Sequence, residues 1–395
     1  MRPEARTQAA IELLDQIIAA ARDQGAAADT LIARYFAARR YAGSKDRRAV
    51  RELVYDAIRL LGERPASGRA AMLALARRQP DLTAHFGAGD YAPEAIGTNE
   101  AVAEAGVAPQ WLVDALAGSG VSDAEQAALL DRAPLDIRVN PLRAKIEDVA
   151  EALGEGEAIA AAPLGVRLPG EHRLERHPLF ESGGFEIQDA GSQAVTLASA
   201  AGPGMLVVDL CAGGGGKTLA MAAMMANRGR IVASDSDRAR LSRLPARAER
   251  AGVSIAETRL LNPGREAEAL ADLTDSADVV LVDAPCSGTG TWRRNPEARW
   301  RLTPDRLARL TELQARLLDM GAALVRPGGA LIHIVCSLLD SEGRGQVDAF
   351  LARHPGWEAV PLVLPAGSAH GKGMRLTPAS DATDGFFVAR LARPC

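Results

Sequence analysis

Residues 205–226, MLVVDLCAGGGGKTLAMAAMMA, decide the fold class. The opening run, MLVVDL, is apolar apart from Asp209 and reads as a buried strand. Four glycines, Gly213 to Gly216, follow, and the alanine- and methionine-rich run after Lys217 reads as a helix. Strand, glycine turn and helix together form the opening unit of a parallel α/β sheet. The same texture continues downstream, with further strands predicted at 230–234, 279–283 and 330–335 and helical stretches between them. From about residue 186 onward the pattern therefore predicts a doubly wound, mostly parallel sheet.

Three ligand classes use a turn of this kind. A phosphate-binding loop needs G-x-x-x-x-G-K-[ST]; Gly216, Lys217 and Thr218 fit its end, but Cys211 stands at its first position. A dinucleotide fingerprint needs G-x-G-x-x-G. Started at Gly213 it ends on Thr218, and started at Gly214 on Leu219, so it fails as well. The third class is S-adenosylmethionine, where glycines admit the methionine moiety and an acid ending the second strand holds the ribose hydroxyls. IVASDSD supplies that acid as Asp235, by the logic that places an acid on the ribose in nucleotide folds. Four glycines in a plain turn would cost stability without a close neighbour to admit.

The strand at 279–283 runs into Asp283-Ala284-Pro285-Cys286-Ser287-Gly288-Thr289-Gly290, and the strand at 330–335 ends on Cys336-Ser337. Two cysteines thus follow two different strands on the carboxyl edge of the sheet, where ligands bind in such folds. A lone buried cysteine is usually a small core residue, but two at strand ends beside Asp283 suit covalent chemistry. Carbon-5 of a pyrimidine is too weak a nucleophile to attack a sulfonium methyl. A thiolate added at carbon-6 makes carbon-5 enamine-like, which splits one hard step into easier ones. The site must favour the thiolate, supply an acid near the ring nitrogen and exocyclic amine, and provide a base for the carbon-5 proton.

The remaining sequence bounds the organisation. At roughly 150 residues per domain, 395 residues make two or three domains. Four cysteines without a CxxC pair form no disulfide framework. Six scattered histidines show no metal-ligand spacing, so no metal is expected. No apolar run approaches a membrane span and the first residues lack a signal-peptide core, so a cytoplasmic protein is expected. Net charge is −4, yet residues 1–80 carry 15 Arg or Lys against 9 Asp or Glu. That excess is either a solvated bundle face or a weak RNA-facing surface. Residues 5–80 read as helical, with Ser44 and Asp46 as a helix start, and 86–105 reads as a linker. Residues 134–182 alternate as a small α/β module. Only four of the 46 basic residues are lysine, so Lys217 inside the glycine motif stands out. Arg293, Arg294, Arg299 and Arg301, interleaved with Trp292 and Trp300, suit phosphate contact and base stacking.

DLCAGGGGKT, VLVDAPCSGTGTWRRNPEARW, VCSLLDSEG and DGFFVARL together resemble the RsmB/Sun-type RNA (cytosine-5) methyltransferases. The resemblance is strong over 186–395. It implies a Rossmann-like methyltransferase domain at 186–395, a small α/β RNA-binding module at 106–185 and a helical NusB-like domain at 1–105. By the same resemblance Cys336 is the nucleophile, Cys286 promotes product release, Asp283 contacts the cytosine, and Lys217 lies near the reacting centre. Cys211, Ala212, Gly213, Gly214, Gly215, Gly216 and Lys217 form the loop for S-adenosylmethionine, Asp235 holds the ribose, and Asn262 and Asp283 complete the cofactor set. Arg293, Arg294, Arg299 and Trp300 are the expected RNA contacts, and the target cytosine must leave its stack.

Four positions depart from the family's pattern. Gly213 and Gly214 replace an alanine and a proline, Asn262 an aspartate, and Val335 a threonine. No reacting group is lost, so an active enzyme is expected. The expected partner is RNA, namely 16S rRNA, with the chain a monomer. The alternatives are the same chemistry on tRNA and a non-catalytic RNA-binding assembly factor. A nucleotide-hydrolysing enzyme is disfavoured by the failed phosphate-loop match.

Overall fold

The computed structural model describes residues 1–23, 25–170, 172 and 174–395. It divides into two compact units, one of residues 1–131 with 291–304, the other of 132–290 with 305–395. The expected boundary at 105/106 falls inside the first unit and that at 185/186 inside the second.

In the first unit, helices Pro3–Arg22, Ser44–Leu60 and Gly68–Arg78 bury their apolar faces against one another. Leu13, Leu14, Ile17, Val54, Ile58 and Met72 are fully buried in that core. Helix Ser44–Leu60 begins where the Asp46 carboxylate accepts the Gly43 N–H at 3.3 Å. The linker expected at 86–105 is instead fastened to the bundle. Arg69 pairs with Glu100 at 2.8 Å and donates to the carbonyls of Glu94 and Ala95, and Ala103 N–H donates to Ala70 O.

The Arg/Trp run after Cys286 belongs to this helical unit, which corrects its expected role. Arg299 is fully buried, and its guanidinium donates to Ile58 O at 2.6 Å, Leu61 O at 2.7 Å and the Pro296 carbonyl. Trp300 is buried with its indole N–H on Gly62 O at 3.2 Å. Trp292 is buried too, and Arg293 is 8% exposed. Arg301 donates to Gly25 O and Ala26 O, while Arg294 is half-exposed. The Ile58 and Leu61 carbonyls close helix Ser44–Leu60, where a cation is favoured. Arg299 and Trp300 therefore pin the segment to the bundle and offer nothing to an RNA surface.

The second unit carries two sheets. The smaller comprises β1 (Leu135–Val139), β2 (Glu157–Ile159), β3 (Ala162–Leu168) and β4 (Phe185–Ile187) in the order β2-β3-β1-β4, all antiparallel. Helix Ile146–Leu153 packs Val149 into its core with Ile137, Val139, Val166 and Phe185.

The larger sheet holds β5 (Leu206–Asp209), β6 (Arg230–Asp235), β7 (Ala256–Leu260), β8 (Ala277–Asp283) and β9 (Val325–Val335) in parallel. The antiparallel strands β10 (Glu358–Val360), β11 (Ser368–His370), β12 (Gly373–Leu376) and β13 (Phe386–Ala392) complete it. The order is β11-β12-β13-β9-β8-β5-β6-β7, with β10 on β13. Valines 207, 208, 279, 280 and 282 are buried, as parallel strands covered on both faces require. Successive strands run one way from β5 to β7 and then resume at β8 on the other side of β5. The carboxyl ends of β5 and β8 therefore flank a topological switch point, the usual ligand position in such sheets.

Candidate active site

The turn after β5 is shaped by close approach. Gly215 has φ +85°, and a Cβ there would lie 2.2 Å from Leu244 Cδ1, so a side chain at this position is strained and would displace Leu244. Gly213 has φ +55°, and nothing lies within 4 Å of where its Cβ would stand, which leaves an open cradle. Asp235, ending β6, anchors the turn: Oδ2 accepts the Gly213 N–H and Oδ1 the Asp237 N–H, both at 2.7 Å. Arg247 donates to Gly214 O and to Glu186. Asn262 follows β7 beside these groups and is exposed. Beneath the turn, Asp209 accepts from Thr218 Oγ1 at 2.6 Å. Burial pushes its carboxyl up to about 7, with the Thr218 hydroxyl acting against the shift.

Lys217, the second residue of helix Gly216–Met224, places its ammonium 2.6 Å from Asp283 Oδ2 and 5.7 Å from the Phe386 ring centre. Burial works against the Lys217 charge, but Asp283, with Cys336 and Asp209 adding, keeps its pKa above the ordinary lysine value. Cys286, just past β8, and Cys336, the first residue past β9, bring their sulfurs to 3.4 Å. Both thiols are partly accessible. The hydrogen bond to Cys336 and then burial hold the Cys286 thiol well above the usual range. Cys211 is likewise pushed up, by burial and then by Asp209, Asp235 and Asp283.

The two cysteine segments are locked together from behind. Gly290 N–H donates to Cys336 O at 3.0 Å, and Gly385 N–H to Gly290 O at 2.8 Å. A Cβ on Gly290 would meet Gly385 O at 2.0 Å, so this crossing admits only glycine. The Glu342 carboxylate is fully buried between the segments. It accepts Ser287 N–H at 2.8 Å, Ser337 Oγ–H at 2.6 Å, Gln314 Nε2–H at 3.0 Å and the Ser287 hydroxyl. Its backbone carbonyl accepts His333 Nε2–H at 2.8 Å. Burial pulls the His333 pKa down to about 4, leaving the ring neutral at ordinary pH.

A family pattern described as 16S rRNA methyltransferase RsmB/F matches residues 195–392. The chain belongs to the RsmB/F family. It is 36% identical over 301 residues to a probable ribosomal RNA small subunit methyltransferase B of Synechocystis, covering 72% of this chain and 66% of that one. A ribosomal RNA small subunit methyltransferase B of Sodalis glossinidius is 34% identical over 72% of this chain and 65% of its own length. The chain thus spans just under two thirds of these relatives. A crystal structure of PH0851 superposes with TM-score 0.75 at 25% identity, covering 99% of both chains.

Within this RsmB/F chain the expected catalytic residues Lys217, Asp283, Cys286 and Cys336 come together, as do residues 211–217 with Asp235. Among the described residues no cluster of three or more His, Cys, Asp or Glu is placed to hold a metal, and no helix is long and apolar enough to cross a membrane. The expected RNA contacts Arg299 and Trp300 are not surface groups. Glu342, Ser287, Ser337 and Gln314 went unrecognised as site residues. The available signal was a seryl residue after each cysteine and an acid six residues past Cys336.

Proposed function

We propose that this chain transfers the methyl group of S-adenosylmethionine to carbon-5 of a cytosine in RNA, through a covalent adduct between Cys336 and carbon-6. The observation that carries this reading is the pair of thiols 3.4 Å apart at two strand ends, beside the Lys217–Asp283 ion pair. The substrate is 16S rRNA, by likeness to relatives whose names give small-subunit rRNA methylation.

The cofactor fits the residues present. The open cradle over Gly213 admits a ligand against the backbone, and Asp235 at the end of β6 is placed for ribose hydroxyls. Asn262 and Asp283 complete the set. S-Adenosylmethionine supplies an electrophilic methyl group on a sulfonium.

The protein's own groups do the rest. Asp283, held at 2.6 Å by the Lys217 ammonium, accepts from the exocyclic amine of the cytosine. The Cys336 thiolate bonds to carbon-6, and the carbon-5–carbon-6 π pair moves to carbon-5, which takes up the methyl group while the methyl–sulfur bond pair stays with the departing thioether. Cys336 is then a neutral thioether, which removes the hydrogen bond and the charge that kept the Cys286 proton in place. Cys286 can now ionise, its proton passing to water, and take the carbon-5 proton. The double bond re-forms and Cys336 leaves as a thiolate.

The direct test is incubation with methyl-labelled S-adenosylmethionine and unmodified 16S rRNA, followed by nucleoside mass spectrometry. Label in 5-methylcytidine is expected. Label only in another nucleoside, or none, refutes the proposal.

A further inference from the structure

The methyl-transfer scheme uses both sulfurs but leaves open what keeps them at 3.4 Å. Neither cysteine lies within a strand: each follows one, on a segment whose position depends on tertiary contacts. Glu342 is the side chain common to both segments. Its Oε1 takes the backbone N–H of Ser287, the neighbour of Cys286, together with Gln314. Its Oε2 takes the hydroxyls of Ser287 and of Ser337, the neighbour of Cys336. Ser337 Oγ in turn accepts Leu339 N–H at 3.1 Å within its own segment, and Thr289 Oγ1 accepts Leu338 N–H at 2.9 Å from one segment to the other. The carboxylate has no solvent access, and its burial is compensated by four donors, as a buried charge requires. His333 holds its backbone from near the carboxyl end of β9, so the clamp is referred to the sheet rather than to either loop.

We propose that Glu342 is a positioning residue that fixes the separation of the Cys286 and Cys336 thiols by clamping the seryl neighbour of each. The proposal rests on the two-cysteine reading above and concerns geometry that the chemistry needs. A thiol can donate to a thiolate, and later act on a carbon that the other sulfur holds, only if both sulfurs share one small space. Misplacement by about 1 Å costs on the order of a hundredfold in rate. Glu342 carries a second effect: its charge adds to the forces that keep Cys286 protonated.

The test pairs turnover with a measurement of thiol spacing that needs no RNA. Phenylarsine oxide bridges two neighbouring thiols. Two arsenic–sulfur bonds form, and the arsenoxide oxygen leaves as water with both thiol protons. Capture is followed by intact-protein mass spectrometry, with Cys336→Ala as the control against Cys211 and Cys395. In Glu342→Gln the amide oxygen can keep Ser287 N–H and Gln314, while its NH2 group replaces the oxygen that accepts both seryl hydroxyls, so the arm that joins Ser287 to Ser337 is lost. This variant is expected to fold and to bind S-adenosylmethionine as the wild type does. Its arsenical capture and kcat should both fall about tenfold or more, with KM for S-adenosylmethionine unchanged. Glu342→Ala should lose more of both.

Wild-type capture and turnover in Glu342→Gln overturn the proposal. So does a parallel loss of thermal stability, cofactor affinity and turnover, which marks a merely structural residue. A wild-type protein that captures the arsenical in a Glu342-dependent manner yet methylates no RNA supports the clamp and refutes the methyltransferase reading instead.

Discussion

Arg299→Met tests whether the arginine–tryptophan segment serves the helical unit or the RNA. The guanidinium has no solvent access and gives its protons to Ile58 O, Leu61 O and Pro296 O. Hydrogen bonds from a charged donor are worth about 1.5–3 kcal/mol each, so three amount to roughly 5–9 kcal/mol. Burial opposes this. It depresses the Arg299 pKa to about 9 from 12.5, a desolvation cost of about 5 kcal/mol. Methionine sheds that cost but leaves the carbonyls without this donor, for a net destabilisation of up to about 4 kcal/mol. Arg299→Lys keeps the charge and cannot reach three carbonyls at once, so it should lose at least as much. Urea unfolding supplies the free energy, and RNA affinity measured across a salt series supplies the number of phosphates engaged. The expected result is a lower unfolding midpoint with an unchanged salt slope. A variant within about 0.5 kcal/mol of the wild type, whose log–log salt slope falls by about 0.7, would instead place Arg299 on a phosphate and refute the assignment.

Other perturbations separate the remaining parts of the account. Asp209 has a folded pKa of about 7 against 3.8 in the unfolded chain. Its contribution to stability is therefore fully present below about pH 4 and lost as pH rises through 7. Asp209→Asn should gain about 2–4 kcal/mol relative to the wild type between pH 4 and pH 8 in thermal unfolding; a flat difference contradicts this. Lys217→Met should lower single-turnover methyl transfer about 10²–10³-fold, with the loss in the chemical step rather than in RNA affinity. Gly290→Ala forces a Cβ toward Gly385 O and should cost about 1–3 kcal/mol along with most activity. Calorimetry and turnover check both effects, and a neutral Gly290→Ala would mean the crossing is looser than described.

How much of this was legible in the sequence follows from how local each signal is. The run around Val207, the glycine turn and the Asp283 and Cys336 strand ends are written in consecutive residues, so sheet, turn and both sulfurs could be read directly. Strand β7 was not, because Ala256–Leu260 alternates charged and small residues in the manner of an edge strand. The antiparallel strands β10, β11 and β12 are only three or four residues long, and they join the sheet through β13, which pairs with β9. Arg299 misled because composition cannot tell a guanidinium facing water from one capping carbonyls 238 and 241 residues earlier. Glu342 escaped for the same reason: its partners at Ser287 and Gln314 lie 55 and 28 residues away. Chemistry borne by a motif was readable, whereas the long-range polar contacts that hold the motif in place were not.

The central claim is that Cys336 forms the bond to RNA and Cys286 is needed to break it. The most direct measurement is to incubate Cys286→Ala, Cys336→Ala and the double variant with S-adenosylmethionine and RNA, and to look for protein–RNA adducts under denaturing conditions. The account predicts a stable adduct with Cys286→Ala alone, and none with either variant lacking Cys336. An adduct that persists in Cys336→Ala, or undiminished methylation in that variant, would contradict it.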